Sequence, residues 1–151
     1  LQLIRPLWRI PSSASCIEID DLNTAAQYLK NKAQRVFLTT GIRGINNFSN
    51  IKDLWFLVRL IDRPKTILPL ENHELVIGRP PYSLKDELKI LAQHSIDTLV
   101  AKHAGGSSTE AKILAAAETD IKIVLIRRPS PEAGSVAKTI DEALTWIRER
   151  I

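Results

Sequence analysis

The run Val100-Ala101-Lys102-His103-Ala104-Gly105-Gly106-Ser107-Ser108-Thr109 carries a strand-like segment into a glycine pair and restarts as a helix. A parallel strand that feeds a helix through small residues leaves unpaired backbone N–H groups and the positive helix end directed at one spot. Lys102 adds a full charge beside it. Such a turn suits an anion, with Gly105, Gly106, Ser107, Ser108 and Thr109 as candidate donors. The plainer alternative is a tight strand-to-helix turn capped by Ser107 or Ser108. On the anion reading, Gly105→Val weakens ligand binding with little loss of folding.

Positioning such a turn requires a sheet, and the chain alternates strand and helix patterns throughout. Ile17 to Asp20 is a short apolar stretch, and Leu22, Ala25, Ala26 and Leu29 then recur at helical spacing behind an Asp21 cap. Arg35 to Thr40 reads as a strand ending at Gly41, followed by a polar stretch and a short helix near Ile51. Trp55 to Ile61 is a second buried strand, and Leu75 to Ile77 a third. Ser83 caps a helix with Leu84, Leu88, Leu91 and Ala92 on one face. Thr98 to Ala101 is a strand, a helix runs from Thr109 to about Glu118, and Ile121 to Ile126 is an unbroken apolar strand. Thr139 and Glu142 have capping-box spacing ahead of a last helix.

The alternation predicts an α/β fold, a Rossmann-like open, mostly parallel sheet with helices on both faces. Residues 1–20 are expected as an N-terminal linker or strand segment and 21–151 as the Rossmann-like domain. Ligands of such sheets bind beyond the carboxyl ends of the strands. The segments there are Thr39 to Gly44, Asp62-Arg63, Gly78-Arg79-Pro80, Lys102 to Thr109 and Arg127-Arg128-Pro129, nearly all carrying a glycine, a basic residue or both. Gly41 to Gly44 is not a full dinucleotide fingerprint. Asp62 follows Gly41 at about the 20-residue spacing of a ribose-binding acid, while Arg63 suits a 2′-phosphate and a solvated turn explains both.

Composition narrows the chemistry. With 151 residues and 44% hydrophobic content the chain supports one domain with a core. Lysine and arginine outnumber acids 21 to 17, a net charge of +4, with no basic run interleaved with aromatics, so a small anion fits better than nucleic acid. The single cysteine, Cys16, excludes an internal disulfide framework and points to a reducing, cytoplasmic setting. His73, His94 and His103 lie far apart without carboxylates at ligand spacing, read as surface or loop histidines, and no metal is expected. No apolar run reaches membrane-spanning length and no signal peptide is visible, so no membrane partner is expected. The absence of methionine and the start at Leu1 suggest that an upstream segment is missing. No nucleophile, base and orienting acid occur in motif form, so hydrolase chemistry gets little support, and a site rich in glycine, threonine and arginine is compatible with hydride chemistry carried by a cofactor.

In order, Arg5-Pro6-Leu7-Trp8, Val36 to Gly41, Gly78-Arg79-Pro80-Pro81-Tyr82, Lys102 to Gly106 with Thr109 and Lys112, and Arg128-Pro129 resemble the carboxyl-terminal half of precorrin-6A reductases. In that family a longer chain opens with a strand and a Gly-Gly-Thr turn, the half absent here. The resemblance implies a reductase of precorrin-6A or cobalt-precorrin-6A in cobalamin biosynthesis, with NADPH or NADH as cofactor and the missing N-terminal domain as partner. It implies cofactor contacts from Thr39, Thr40, Gly41, Lys102, Gly105, Gly106 and Thr109. It implies tetrapyrrole contacts from Arg5, Trp8, Arg43 and Arg79, arginine matching carboxylates bidentately and Trp8 offering a flat apolar face. The chain departs from the family pattern at His103 and Ala104, where asparagine and serine are usual, and at Ile42, where arginine is usual. No catalytic acid or base is assigned. A nucleotide- or anion-binding regulatory module and a sugar-nucleotide transferase domain are the competing readings on the same scaffold.

Overall fold

Val36 to Leu38, Phe56 to Val58, Leu99 to Ala101 and Ile123 to Leu125 are apolar without alternation and nearly inaccessible to water. Only a parallel sheet covered on both faces hides such runs. The computed structural model describes residues 1–151 and shows that sheet. Its strands are β2 (Cys16–Ile19), β3 (Arg35–Leu38), β4 (Trp55–Leu60), β5 (His73–Ile77), β6 (Thr98–Lys102) and β7 (Lys122–Ile126). They lie in the order β2-β7-β6-β3-β4-β5, all parallel.

Helix α1 (Leu22–Leu29) packs Ala25, Ala26 and Leu29 on one face with Phe48, Val58 and Val100. On the other face α2 (Leu84–Gln93) and α3 (Ala111–Glu118) cover Phe37, Leu57, Leu99 and Ile123. Asp21 accepts from the Thr24 amide and Ser83 from the Asp86 amide, as the capping pattern predicts. That backbone hydrogen bond holds the Asp21 carboxyl below its ordinary range. A two-stranded parallel sheet of β1 (Gln2–Leu3) and β8 (Val136–Ala137) stands apart, followed by α4 (Ile140–Arg148). Thr139 caps α4 by accepting from the Glu142 amide, while the Glu142 carboxylate accepts from the Lys138 amide. Ile140, Leu144 and Ile147 form an exposed apolar stripe along it.

Three local expectations differ from the structure. The turn after β3 is a 3₁₀ helix over Ile42–Phe48, and Ile51 sits buried in the loop that follows rather than in a helix. Cys16 to Ile19 is the sheet's edge strand, so the α/β unit begins before residue 20. The stretch Ser107–Thr109 is a 3₁₀ turn and α3 starts at Ala111, with no side-chain cap from either serine. Burial raises the pKa of the Cys16 thiol, with Glu18 adding to the effect.

Asp97 fastens the opposite end of the sheet. Its carboxylate accepts from the Gln34 and Arg35 amides at 2.9 and 2.7 Å and from the Thr98 hydroxyl at 2.7 Å. Asp97→Ala orphans these donors where β3 and β6 begin, and should cost about 1–3 kcal/mol, seen as a lower urea midpoint at unchanged slope.

Candidate functional site

Chain direction across the sheet reverses between β3 and β6: β3 is followed outward by β4 and β5, β6 by β7. Crevices in open α/β sheets form at such a switch point, beyond the strand ends. Here the crevice is a cleft of about 530 Å³ lined by residues that include Thr39, Gly41, Arg59, Tyr82, Thr109 and Lys112. Asp62, Arg63 and Lys65 stand at it from the loop after β4. Gly41 has φ +79° and ψ 171°, a conformation essentially confined to glycine, with nothing within 4 Å of the position a Cβ would occupy. A ligand can therefore approach the backbone closely at this turn.

The residues expected at the site divide. Thr39, Gly41 and Thr109 meet in the cleft. Lys102 opens instead on a second cleft of about 410 Å³ with Asp20, His103, Arg127 and Arg128. Thr40 is 6% exposed with its Oγ1 unpartnered inside the protein, so its side chain faces no cleft. Ser107 is exposed and Ser108 half-buried, the Ser108 carbonyl accepting from the Tyr82 amide. Arg43 and Arg5 are exposed, and Arg79 reaches Asp62 with both carboxylate oxygens at 2.9 Å. That pairing occupies the acid considered for a ribose.

The glycine pair is closed over by the N-terminal segment. A Cβ on Gly105 would collide with the Pro6 carbonyl oxygen, and one on Gly106 would stand 3.0 Å from the Arg5 Cδ. Trp8 Nε1 donates to the Gly106 carbonyl at 2.6 Å. Arg128 donates to the carbonyls of Arg5, His103 and Ala104, tying the segment to the ends of β6 and β7. The two glycines thus serve a close backbone approach by the chain itself. Trp8, expected to offer a face to substrate, is 5% exposed and stacks on His103 at 5.7 Å. His103 is accordingly buried rather than a surface histidine, its Nε2 3.2 Å from the Trp8 carbonyl.

Three charged residues to which the sequence reading gave no role meet at the cleft, Arg59 and Lys112 lining it and Glu87 buried behind them. Arg59 is bidentate to Glu87, Nη1–Oε2 3.1 Å and Nη2–Oε1 2.6 Å, and Glu87 is wholly buried. The guanidinium lies 4.0 Å from the Tyr82 ring centroid and 4.7 Å from that of Phe37. Lys112 is the third, buried on α3 with its Nζ 5.1 Å from the Trp8 ring. Burial and then the nearby Arg59 charge lower its pKa to about 8, with Glu87 opposing them. Burial also raises the Tyr82 phenol. The signal was present: Arg59 interrupts an apolar strand buried on both faces, and Glu87 shares the inward stripe of Leu84 and Leu91.

Residues 1–148 match the family described as "Precorrin-6x reductase CbiJ/CobK". The chain belongs to this precorrin-6x reductase family. Among its relatives, the precorrin-6A reductase of Mycobacterium tuberculosis (strain ATCC 25618 / H37Rv) is 42% identical over 149 residues, 97% of this chain and 59% of that protein. The Rhodococcus erythropolis precorrin-6A reductase is 36% identical over 146 residues, covering 96% and 58% respectively. A solved structure described as "CobK precorrin-6A reductase" superposes with a TM-score of 0.91 at 31% identity, covering 97% of this chain and 59% of its own. The chain therefore spans about three-fifths of the length of these precorrin-6x reductase relatives. The α/β architecture expected from the strand–helix alternation is the one this solved relative shares.

Proposed function

We propose that this chain is the carboxyl-terminal domain of a nicotinamide-dependent reductase that acts on precorrin-6A or cobalt-precorrin-6A in cobalamin biosynthesis. The observation that carries the reading is family membership over nearly the whole chain, joined to a cationic cleft at the switch point of the sheet. The exposed stripe of Ile140, Leu144 and Ile147 supports a covering N-terminal domain in the remaining two-fifths of the relatives' length. The single cysteine and the absence of any helix long and apolar enough to cross a membrane support a cytoplasmic setting. No observation favours the regulatory-module or sugar-nucleotide readings.

The cleft fits an anionic cofactor or substrate because its floor is unobstructed backbone at Gly41 and its inner wall is cationic. A reduced nicotinamide would supply the hydride. The chain's own part is to bind and orient. Thr39 donates its hydroxyl to the Val100 carbonyl, which locks the β3 end against β6 and leaves the oxygen able only to accept. The Thr109 hydroxyl and the N–H groups beside Gly41 remain as donors toward the cleft. In this reading Thr39, Gly41 and Thr109 contact cofactor, with Lys102, Gly105, Gly106, Ser107 and Ser108 shaping the adjoining turn. Arg5, Arg43 and Arg79 are the arginines assigned to tetrapyrrole carboxylates.

Calorimetric titration of NADPH, NADH and precorrin-6A into the chain tests the assignment. Thr109→Val keeps the shape and removes one donor, so it should weaken the cofactor about tenfold, the worth of a hydrogen bond to a charged acceptor. A folded chain that takes up neither a nicotinamide cofactor nor the macrocycle would sink the reading.

A further inference from the structure

Around the inner wall of the cleft the charges do not cancel. Arg59 from β4 and Lys112 from α3 are both buried, 8% and 7% exposed, and Glu87 from α2 is the carboxylate beside them. Arg59 engages both Glu87 oxygens with both terminal nitrogens, so the pair is internally satisfied. Lys112 is left as a surplus positive charge: its ammonium faces the Trp8 ring at 5.1 Å, is repelled by Arg59, and shares with Arg59 the single Glu87 carboxylate. A buried charge without a counter-ion is costly, and folds that keep one gain from it when a ligand arrives. The remaining group packed near it, Tyr82, donates its hydroxyl to the Gly78 carbonyl and is no counter-ion. Lys112 nevertheless lines the cleft rather than a sealed interior, together with Thr109 three residues earlier.

We infer that Lys112 and Thr109 form an oxyanion subsite at the base of the cleft, in which the ammonium takes a carboxylate or phosphate oxygen of the bound ligand. The Arg59–Glu87 pair positions the subsite without binding in it, because its hydrogen-bonding atoms already face one another. The Trp8 ring backs the ammonium from the N-terminal segment, so the packing of that segment on the glycine pair also shapes the subsite. The inference deepens the proposed function by assigning a ligand group within the same cleft, and it rests on that reading only for the identity of the natural ligand.

An oxyanion at 3 Å or so would restore the charged form of Lys112, so binding above pH 8 should take up a proton and weaken as the pH rises further. The experiment is a pH titration of the Lys112 side chain by NMR in this chain, alone and with two probes. Inorganic pyrophosphate stands for a cofactor phosphate and uroporphyrin, a carboxylated tetrapyrrole, for a substrate carboxylate. The expected result is an upward shift of the Lys112 titration by at least about one unit with one of them, which names the source of the oxyanion. Lys112→Met should lower affinity for that probe at least tenfold while the variant melts no lower than the parent. A Lys112 titration unmoved by millimolar concentrations of both probes would overturn the subsite, as would unchanged affinity in Lys112→Met. Failure of the reductase reading shows elsewhere, as absence of precorrin-6A reduction by a protein of the relatives' full length, and leaves a positive Lys112 shift standing.

Discussion

Glu87→Ala should be the most destabilising single substitution around the cleft, at about 3–5 kcal/mol, the usual consequence of breaking a buried ion pair from one side. Alanine removes the only carboxylate beside Arg59 and Lys112 and leaves two like charges buried together. Urea unfolding at neutral pH checks it. Adding Lys112→Met should recover part of the loss, because one of the two repelling charges is then gone, and the double variant will be more stable than additivity allows. A loss below 1 kcal/mol for Glu87→Ala would mean that water reaches Arg59 freely. Lys112 also gives the protein a pH signature. Its folded pKa of about 8 lies below the ordinary 10.5, so the unfolded chain holds the proton over that interval and the folded chain does not. Stability is therefore lowest below pH 8 and rises between pH 8 and about 10.5, by up to about 3 kcal/mol from this group alone. In Lys112→Met that rise should vanish from the pH dependence of the unfolding free energy.

Gly105→Val is expected to release the Arg5–Trp8 segment, at about 3 kcal/mol. Valine must adopt φ +72°, which β-branched residues resist, and its Cβ occupies the space of the Pro6 carbonyl oxygen. The segment cannot retreat without withdrawing Trp8 from His103 and from the Gly106 carbonyl. Trypsin should then cut at Arg9 far faster than in the parent, with a red shift of tryptophan emission. Gly106→Ala should be milder, since the atom in its way is the flexible Arg5 Cδ, and only its φ of +83° adds a cost of about 1 kcal/mol. Equal trypsin sensitivity of parent and Gly105→Val would show that the segment is already loose. The structure thus reverses the expectation that Gly105→Val spares folding, because the glycine pair admits the chain's own backbone.

Much of the architecture was legible in one dimension because it rests on local and pairwise regularities. Unbroken apolar runs such as Ile123 to Leu125 demand a sheet buried on both faces, and Asp21, Ser83 and Thr139 announce helix starts by side chains that reach the next turn. The edge strand at Cys16 and the 3₁₀ turn at Ile42–Phe48 were harder to read. An edge strand needs only its one neighbour, β7, and a glycine-led polar turn has no helical stripe to count.

Apart from the two-residue strands β1 and β8, the sequence by itself determined the α/β class and the order of strands and helices, offered the strand-end turns as places for a ligand, and carried the resemblance that family membership bears out. Those follow from periodicity, capping and short motifs, which act over a few residues. Only the tertiary structure decided which turns share a cleft. Lys102 and Thr109 are near neighbours in the chain yet line different clefts, Lys102 closing β6 and Thr109 closing the 3₁₀ turn that follows the glycine pair. Arg59, Glu87 and Lys112 come from a strand and two helices, and it is the packing of α2 and α3 on one sheet face that joins them and leaves one positive charge over. Burial of that kind depends on what covers a side chain from another element, which no local pattern encodes.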